Sequence, residues 1–486
     1  MKSLNAYRFA GILGGLLLAA GQFRGPACIL QLAAILPLML LILRDRRIGP
    51  AALAGLYMGL TFTFPQMIYL RMPLPVTVIL LLHFTLLLVI LCMAAAYFLP
   101  RHPVLGPLAF GAFWYVLDWL NYTLVPLWGM AQSFARSWTA YPFAIQFISI
   151  TSISGVLFVI GAFQGLAAHV ISARPHTLNT YRPQLVTACA LLGVTFAYNA
   201  IIWFDKPDAA IKVAAAGWGF DDRSSTIDPH KPEGFEQLFA APARTAAAQG
   251  ARLFTTGEMG FYIADHERAE WNARFADVAR QTNIWLVIGY YNVTLEENRV
   301  FFMSPQGDIV HEYTKTYLTP YEPGHKGDGS LKSIELDGLT IGAMICQDDN
   351  FSRLTRRYGT NKADLVLCPT ADWWTIKTAH LQAVGARAIE GRFSLARGAA
   401  NGISAIFSPR GELLAKRDHC QCGPGVIIAD IPVYKGITLF SRFGHAPSLL
   451  IAAAVLAMAR MKTPAPAARI SNTPNQPIDA AGLNYC

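Results

Sequence analysis

Apolar residues dominate the first two hundred positions in runs about as long as a membrane-crossing helix, at 9–23, 26–43, 51–70, 74–98, 104–125, 143–170 and 184–203. One more such run lies near the end, at 446–461. A helix needs about 20 predominantly apolar residues to cross the hydrocarbon core, so the pattern predicts eight spans, the first of them short. Between the seventh and eighth the period changes. From Ile211 onward, short β-rich runs predict strands at 211–216, 253–256, 284–291, 299–303, 339–345, 365–369 and 404–407. Amphipathic stretches at 234–249 and 267–282 separate several of them. Alternation of this kind predicts a layered α/β domain. Residues 305–308 and 408–412 read as hairpin turns, where Gly307 and Gly411 supply positive φ. The chain therefore divides into a seven-span bundle (1–205), a water-facing domain (206–440), an eighth span (441–463) and a disordered tail (464–486).

Composition sharpens this division. Only 15% of residues are charged, against about 25% for a soluble globular protein, and the mean hydropathy is +0.34. The net charge of +9 raises the question of a nucleic-acid partner. Its distribution argues for none, because no basic stripe with interleaved aromatics occurs. Instead Lys2, Arg8, Arg44, Arg46, Arg47, Arg101, Arg174, Arg182, Arg460, Lys462 and Arg469 fall on one side of the predicted membrane. Only Arg24, Arg71 and Arg136 fall in the short loops opposite. Positive charge favours the cytoplasmic side, which directs the soluble domain outward and the C-terminus inward. No cleavable signal peptide is evident.

Among the eight cysteines, Cys28, Cys92 and Cys189 sit inside apolar runs and read as small buried hydrophobes. Cys420 and Cys422 form a C-x-C without a partner pair and read as a loop, so neither a metal site nor a cofactor is expected. His83 and Asp118 are ionisable residues within spans; for both, hydrogen bonding inside the bundle is the favoured reading over a functional one.

Three residues of the soluble domain stand at the ends of apolar or β-rich runs. Glu258 follows Leu253-Phe254, Lys315 ends Glu312-Tyr313-Thr314-Lys315, and Cys346 ends the run that begins at Thr340. Taken singly they read as a surface carboxylate, a solvated lysine and a core thiol. Together they make a coherent acyl-transfer set. A thiol is a weak nucleophile until a base takes its proton. Glu258 suits that role, and Lys315 suits stabilisation of the oxyanion in a tetrahedral intermediate. The product is a thioester on Cys346, open to attack by an amine or by water. No Ser-His-Asp set, phosphate-binding loop or zinc spacing competes.

Glu–Lys–Cys in this order resembles the nitrilase, or carbon–nitrogen hydrolase, superfamily, which implies an α-β-β-α sandwich for the soluble domain. With seven spans before it and one after, the layout is similar to that of bacterial apolipoprotein N-acyltransferases. Ala144-Ile145-Gln146-Phe147-Ile148 with Ser154-Gly155-Val156-Leu157-Phe158 looks like that family's sixth span. His380-Leu381-Gln382, Arg387-Ala388-Ile389-Glu390, Arg392, Arg397 and Asn401-Gly402-Ile403-Ser404 resemble its run after the nucleophile.

The resemblance implies a ping-pong acyltransferase of the bacterial inner membrane with its catalytic domain on the extracytoplasmic face. The donor is a phospholipid, and the acceptor is the α-amino group of a diacylglyceryl-cysteine at a lipoprotein N-terminus. It further implies Glu322 as a supporting glutamate. Trp128, Trp373 and Trp374 are candidates to line the acyl groove, and a monomer is expected. The chain departs from the family pattern in several places. Tyr321 runs straight into Glu322 without an intervening Gly, Gln347-Asp348 follow the nucleophile, and Thr370-Ala371-Asp372-Trp373-Trp374 replaces the usual Asn-Asp-Ala-Trp-Phe. The segment from Lys315 to Cys346 is also short. These departures leave the acceptor open: another amine, or water in a membrane-tethered amidase or hydrolase, are the alternatives. A catalytically dead scaffold is the third reading, and the intact Glu258, Lys315 and Cys346 weigh against it.

Overall fold

Apolar helices whose outward faces stay bare of protein form one half of the molecule. A computed structural model describes residues 2–23, 25–125, 127–173, 178–219, 227–320 and 322–461; the expected tail at 464–486 lies outside the described residues. Six helical stretches are long and apolar enough to cross a membrane: Leu4–Phe23, Gly25–Asp45, Ile48–Leu70, Leu74–Arg101, Gly155–Ser172 and Tyr181–Trp203. Leu74, Ile79, Leu82 and Leu86 on one helix and Val194, Phe196 and Ile201 on another remain exposed, as expected where lipid rather than protein is the neighbour. The expected fifth and eighth spans are helices too, Leu105–Leu124 and Ala446–Arg460. The first carries the polar residues Asp118 and Asn121, and the second has only 15 residues; neither is among the six.

Two expected spans are interrupted. Residues 26–43 begin as a 3-10 segment, Gly25–Leu32, before the α-helix Leu36–Asp45. Residues 143–170 are not one helix. Short turns at Pro142–Ile145 and Ile148–Thr151 precede the span Gly155–Ser172. The break has a physical cause. Ser152 adopts φ 65°, a left-handed conformation that no continuing α-helix accommodates. The Ser152 hydroxyl and the Ile153 amide both donate to Glu390 of the soluble domain, at 2.5 and 3.0 Å. Contacts distant in sequence thus override a locally helical pattern.

The soluble domain holds two six-strand paths. One runs Gly425–Val433, Ala209–Gly217, Leu253–Thr255, Trp285–Asn292, Glu297–Met303, Ile309–Thr314. The other runs Leu413–Asp418, Ile403–Phe407, Ser394–Arg397, Leu365–Leu367, Leu339–Ala343, Ser333–Leu336. In each, central parallel pairs are flanked by antiparallel ones. Alternation assigns the faces. Val213 and Ala215 join Leu253, Ile341, Val366 and Leu395 in the core between the sheets. Ala214 and Ala216 turn the other way, with Phe254 and Leu286, onto helices bearing Phe239 and Phe275. All seven expected strands are present, with ends shifted by a few residues.

On the opposite face, the helix Lys377–Gly391 serves both halves of the molecule. Val384 and Ala388, four apart, pack on the sheet core. Ala383, Ala386 and Ile389 pack among Phe134, Ala135, Ile145 and Ile153 of the bundle. A helix buried on both sides seats the domain on one end of the bundle.

Candidate active site

Each of the three candidate residues lies just beyond the end of a strand. Glu258 lies three residues beyond Leu253–Thr255, Lys315 directly follows Ile309–Thr314, and Cys346 begins the 3-10 turn Cys346–Asn350 beyond Leu339–Ala343. Strand ends in an α/β layer present side chains into the crevice between neighbouring connections. Cys346 has φ 45°. A residue with a Cβ adopts that region at a cost of about 1–2 kcal/mol, and the strain is held by its amide donating 2.9 Å to the Pro369 carbonyl. Its Sγ comes within 3.5 Å of the Ala371 carbonyl oxygen.

The carboxylate and ammonium groups meet beneath the thiol. Lys315 Nζ donates to Glu258 Oε1 at 2.7 Å and to the two Glu322 oxygens at 2.8 and 2.7 Å. Glu258 Oε1 also accepts from Asn298 Nδ2 at 2.6 Å, and its Oε2 accepts from the Ala371 amide at 2.6 Å. Asn298 reaches Glu322 as well, at 3.0 Å. Glu258, Lys315 and Cys346 are 1%, 1% and 4% exposed, so their mutual interactions are little screened by water.

Electrostatics assigns charge states. Burial and the Glu258 charge push the Cys346 thiol well above the ordinary range, while Lys315 pulls it down. The resting nucleophile is therefore a neutral thiol that needs a base at the moment of attack. Burial alone would lower Lys315, but Glu258 outweighs it and holds the ammonium. Burial alone would raise Glu322, but Lys315 holds it below the usual carboxylate range.

A second layer fixes these groups in register. Asp348, pushed up to about 7 by burial, accepts from the Tyr313 hydroxyl at 2.7 Å, from the Thr316 and Tyr317 amides at 3.1 and 2.8 Å, and from the Ile345 amide at 3.1 Å. It ties the lysine loop to the nucleophile turn. His380 bridges Asp372 (2.7 Å) and Asp349 (3.0 Å), and Arg397 adds a 2.7 Å bond to Asp372. Arg387 donates to the Asp349 and Asn350 carbonyls at 2.8 Å each and pairs with Glu390. From the bundle, the Leu127 carbonyl accepts 2.9 Å from Gln347. Spans and domain thus grip the nucleophile turn together.

The structure gathers every candidate residue. Glu322 joins Lys315, and Trp128, Trp373 and Trp374 line a cavity of about 780 Å³ between the loop Arg71–Pro73, the residues after the Leu105–Leu124 span, and the domain. Trp128 and Trp373 also wall a narrow pocket that contains Cys346 and His380. Cys346, Asp372 and His380 have potential ligand atoms within 4.8 Å of one another. Both Asp372 oxygens and both His380 nitrogens are engaged by one another, by Arg397 and by Asp349, which leaves this set an ion-pair network.

Asn298 and Asp348 are the members that sequence reading missed. Asn298 is a polar residue at a buried strand position, which is the only local signal. Within the bundle, Asp118 accepts from Ser133 and Ser154 hydroxyls and the Phe134 amide at 2.8, 2.7 and 2.9 Å, and His83 bonds Asn121 at 2.8 Å.

Two family models divide the chain at the same place. Residues 14–166 match the apolipoprotein N-acyltransferase N-terminal domain, and residues 222–435 match the carbon-nitrogen hydrolase family. The chain is similar to apolipoprotein N-acyltransferases over most of its length. An apolipoprotein N-acyltransferase from Geobacter metallireducens is 25% identical over 62% of this chain and 63% of its own length. Apolipoprotein N-acyltransferase 2 from Treponema denticola is 20% identical over 71% of this chain and 73% of its own. An amidase from Nesterenkonia sp. aligns at 22% identity with a TM-score of 0.39, covering 46% of this chain and 90% of that one. With six apolar crossing-length helices among the described residues, the chain is a multi-pass bacterial membrane protein. It spans 63% of the length of the Geobacter relative.

Proposed function

We propose that this chain takes an acyl chain from a phospholipid onto Cys346 as a thioester and passes it to the α-amino group of a diacylglyceryl-cysteine at a lipoprotein N-terminus. Glu258 accepts the Cys346 proton as sulfur attacks the ester carbonyl. Lys315 stabilises the oxyanion, and the lysolipid leaves with the proton from Glu258. In the second half, the neutral amine attacks the thioester, Glu258 takes the amine proton, and the thiol is restored. Glu322 and Asn298 hold Lys315 and Glu258 in place throughout.

The observation that carries this reading is the apolar cavity beside the buried thiol, walled jointly by bundle and domain. Its rim includes Val76 and Ile79, at the start of a helix whose Leu74 and Leu82 face outward. A lipid chain enters such a cavity without crossing water, whereas a small polar amide gains nothing from it. The names of the Geobacter and Treponema relatives agree with this activity. The charge asymmetry of the loops supports an extracytoplasmic domain, and the chain acts as a monomer.

The test is a product assay with purified protein, phospholipid and a synthetic diacylglyceryl-cysteine peptide. The expected product is a peptide heavier by one acyl chain, amide-linked at its N-terminus. Free fatty acid with unmodified peptide would instead favour the membrane-tethered hydrolase.

A further inference from the structure

Three cavities meet at Trp128. The indole lines the large apolar cavity, the narrow pocket of Cys346, and a third space of about 70 Å³ that runs between the ends of the spans. The third space shares Leu70 and Thr375 with the first, and Ala131 and Ile376 with the second. Most of its wall is apolar, with Phe23, Met67, Leu80 and Phe84. Into it converge Gln66, Gln132 and Arg136, which come from two parts of the chain some seventy residues apart.

Two of them, Gln132 and Arg136, are incompletely satisfied, whereas Gln66 Nε2 donates to the Phe62 carbonyl at 3.0 Å. Arg136 donates to the Ala131 carbonyl at 3.0 Å and, weakly, to Gln66 Oε1 at 3.4 Å. No carboxylate among the described residues forms an ion pair with it. Asp118, the nearest opposing charge, spends its oxygens on Ser133, Phe134 and Ser154. Arg136 Nε and Gln132 Nε2 have no hydrogen-bond partner among the described residues, and Gln132 is only 3% exposed. Buried donors without acceptors are costly, and native structures keep few of them. A guanidinium fork and an amide donor converging on a small space match a tetrahedral oxyanion.

We propose that Arg136, held by Gln66 and joined by Gln132, forms a slot for the phosphate group of a glycerophospholipid. The inference rests on the acyl-transfer reading above and adds how the donor is oriented. The chemistry of the three cavities matches the parts of one lipid molecule. Acyl chains take the 780 Å³ cavity, the ester carbonyl takes the thiol pocket, and phosphate takes the cationic slot. The slot, at about 70 Å³, has room for a phosphate but not for an acyl chain. Trp128, common to all three, is the wall around which the glycerol backbone turns.

The test measures single-turnover acylation of Cys346 by intact mass, on the full chain in detergent, with two donors. One is phosphatidylglycerol; the other is p-nitrophenyl palmitate, an acyl ester without phosphate. Arg136→Gln is expected to raise the half-saturating phosphatidylglycerol concentration about tenfold or more, the scale of a lost charge-assisted hydrogen bond. The maximal rate should change little, and the ratio of phosphatidylglycerol to p-nitrophenyl palmitate use should fall by a similar factor. Arg136→Lys should recover most of the difference. Should Arg136→Gln not fold, Gln66→Leu, which removes an acceptor of the guanidinium, is read in the same way. Added inorganic phosphate separates the sources: competition in the wild type that Arg136→Gln abolishes marks a slot open to free phosphate, and its absence beside the tenfold loss marks a lipid-borne phosphate only. Equal loss with both donors, or no loss with either, overturns the slot. If the wild type forms no adduct with either donor, acyl transfer itself fails. The slot is then read from native mass spectra, where equal phosphatidylglycerol retention by wild type and Arg136→Gln would overturn it.

Discussion

Asp118 in the bundle and Glu258 in the soluble domain are both buried carboxylates, 0% and 1% exposed, yet they serve different ends. Asp118 accepts from two hydroxyls and a peptide N–H. Those donors do not change charge, and they pin the loop after the Leu105–Leu124 span to the start of Gly155–Ser172. Glu258 accepts from an ammonium, a side-chain amide and a peptide N–H, beside a thiol that opens into a cavity. Burial alone does not distinguish a clamp from a base. What distinguishes them is a titrating neighbour and access to a substrate.

That contrast breaks most visibly by substitution. Glu258→Gln keeps the shape and removes the base, so acylation of Cys346 should slow by about 10²–10⁴-fold. Lys315→Met should slow it by about 10²–10³-fold, the scale of one lost oxyanion donor. Both are read as single-turnover rates by intact mass, with thermal unfolding as the check on folding. Asp118→Asn should do the reverse. It costs about 1–3 kcal/mol of stability through its charge-assisted hydrogen bonds, seen as an earlier unfolding transition in detergent, while the acylation rate per folded molecule stays within about threefold. A large rate loss in Asp118→Asn would erase the distinction.

The smallest expected effect concerns pH. Burial pulls His380 down, but Asp349 and Asp372 raise it to about 9. A histidine raised above its ordinary value stabilises the fold fully below about pH 6.5 and loses that contribution as pH rises through about 9. The difference in thermal midpoint between wild type and His380→Gln should therefore be largest near pH 6 and shrink above roughly pH 9. A difference that grows with pH would show His380 to be neutral in the folded protein.

Much of this arrangement was legible in the sequence because it lies where strands end. Glu258, Lys315 and Cys346 each close an apolar or β-rich run, and a period-2 pattern locates such ends to within a few residues. Glu322 was readable only through family resemblance, since nothing local marks a loop glutamate as a lysine's partner. Asn298 and Asp348 were illegible because their roles exist only across strands and turns. The expected 143–170 span misled for a similar reason. Its apolar content is helical in period, and the break at Ser152 depends on Glu390, more than two hundred residues away.

The most direct test of the central claim is peptide mapping of the full chain after brief incubation with phospholipid and no acceptor. The expected result is one acyl group, released by neutral hydroxylamine, on the peptide that contains Cys346, and none in Cys346→Ala that still unfolds cooperatively. An acyl group on any other residue, or undiminished acylation in Cys346→Ala, would contradict it.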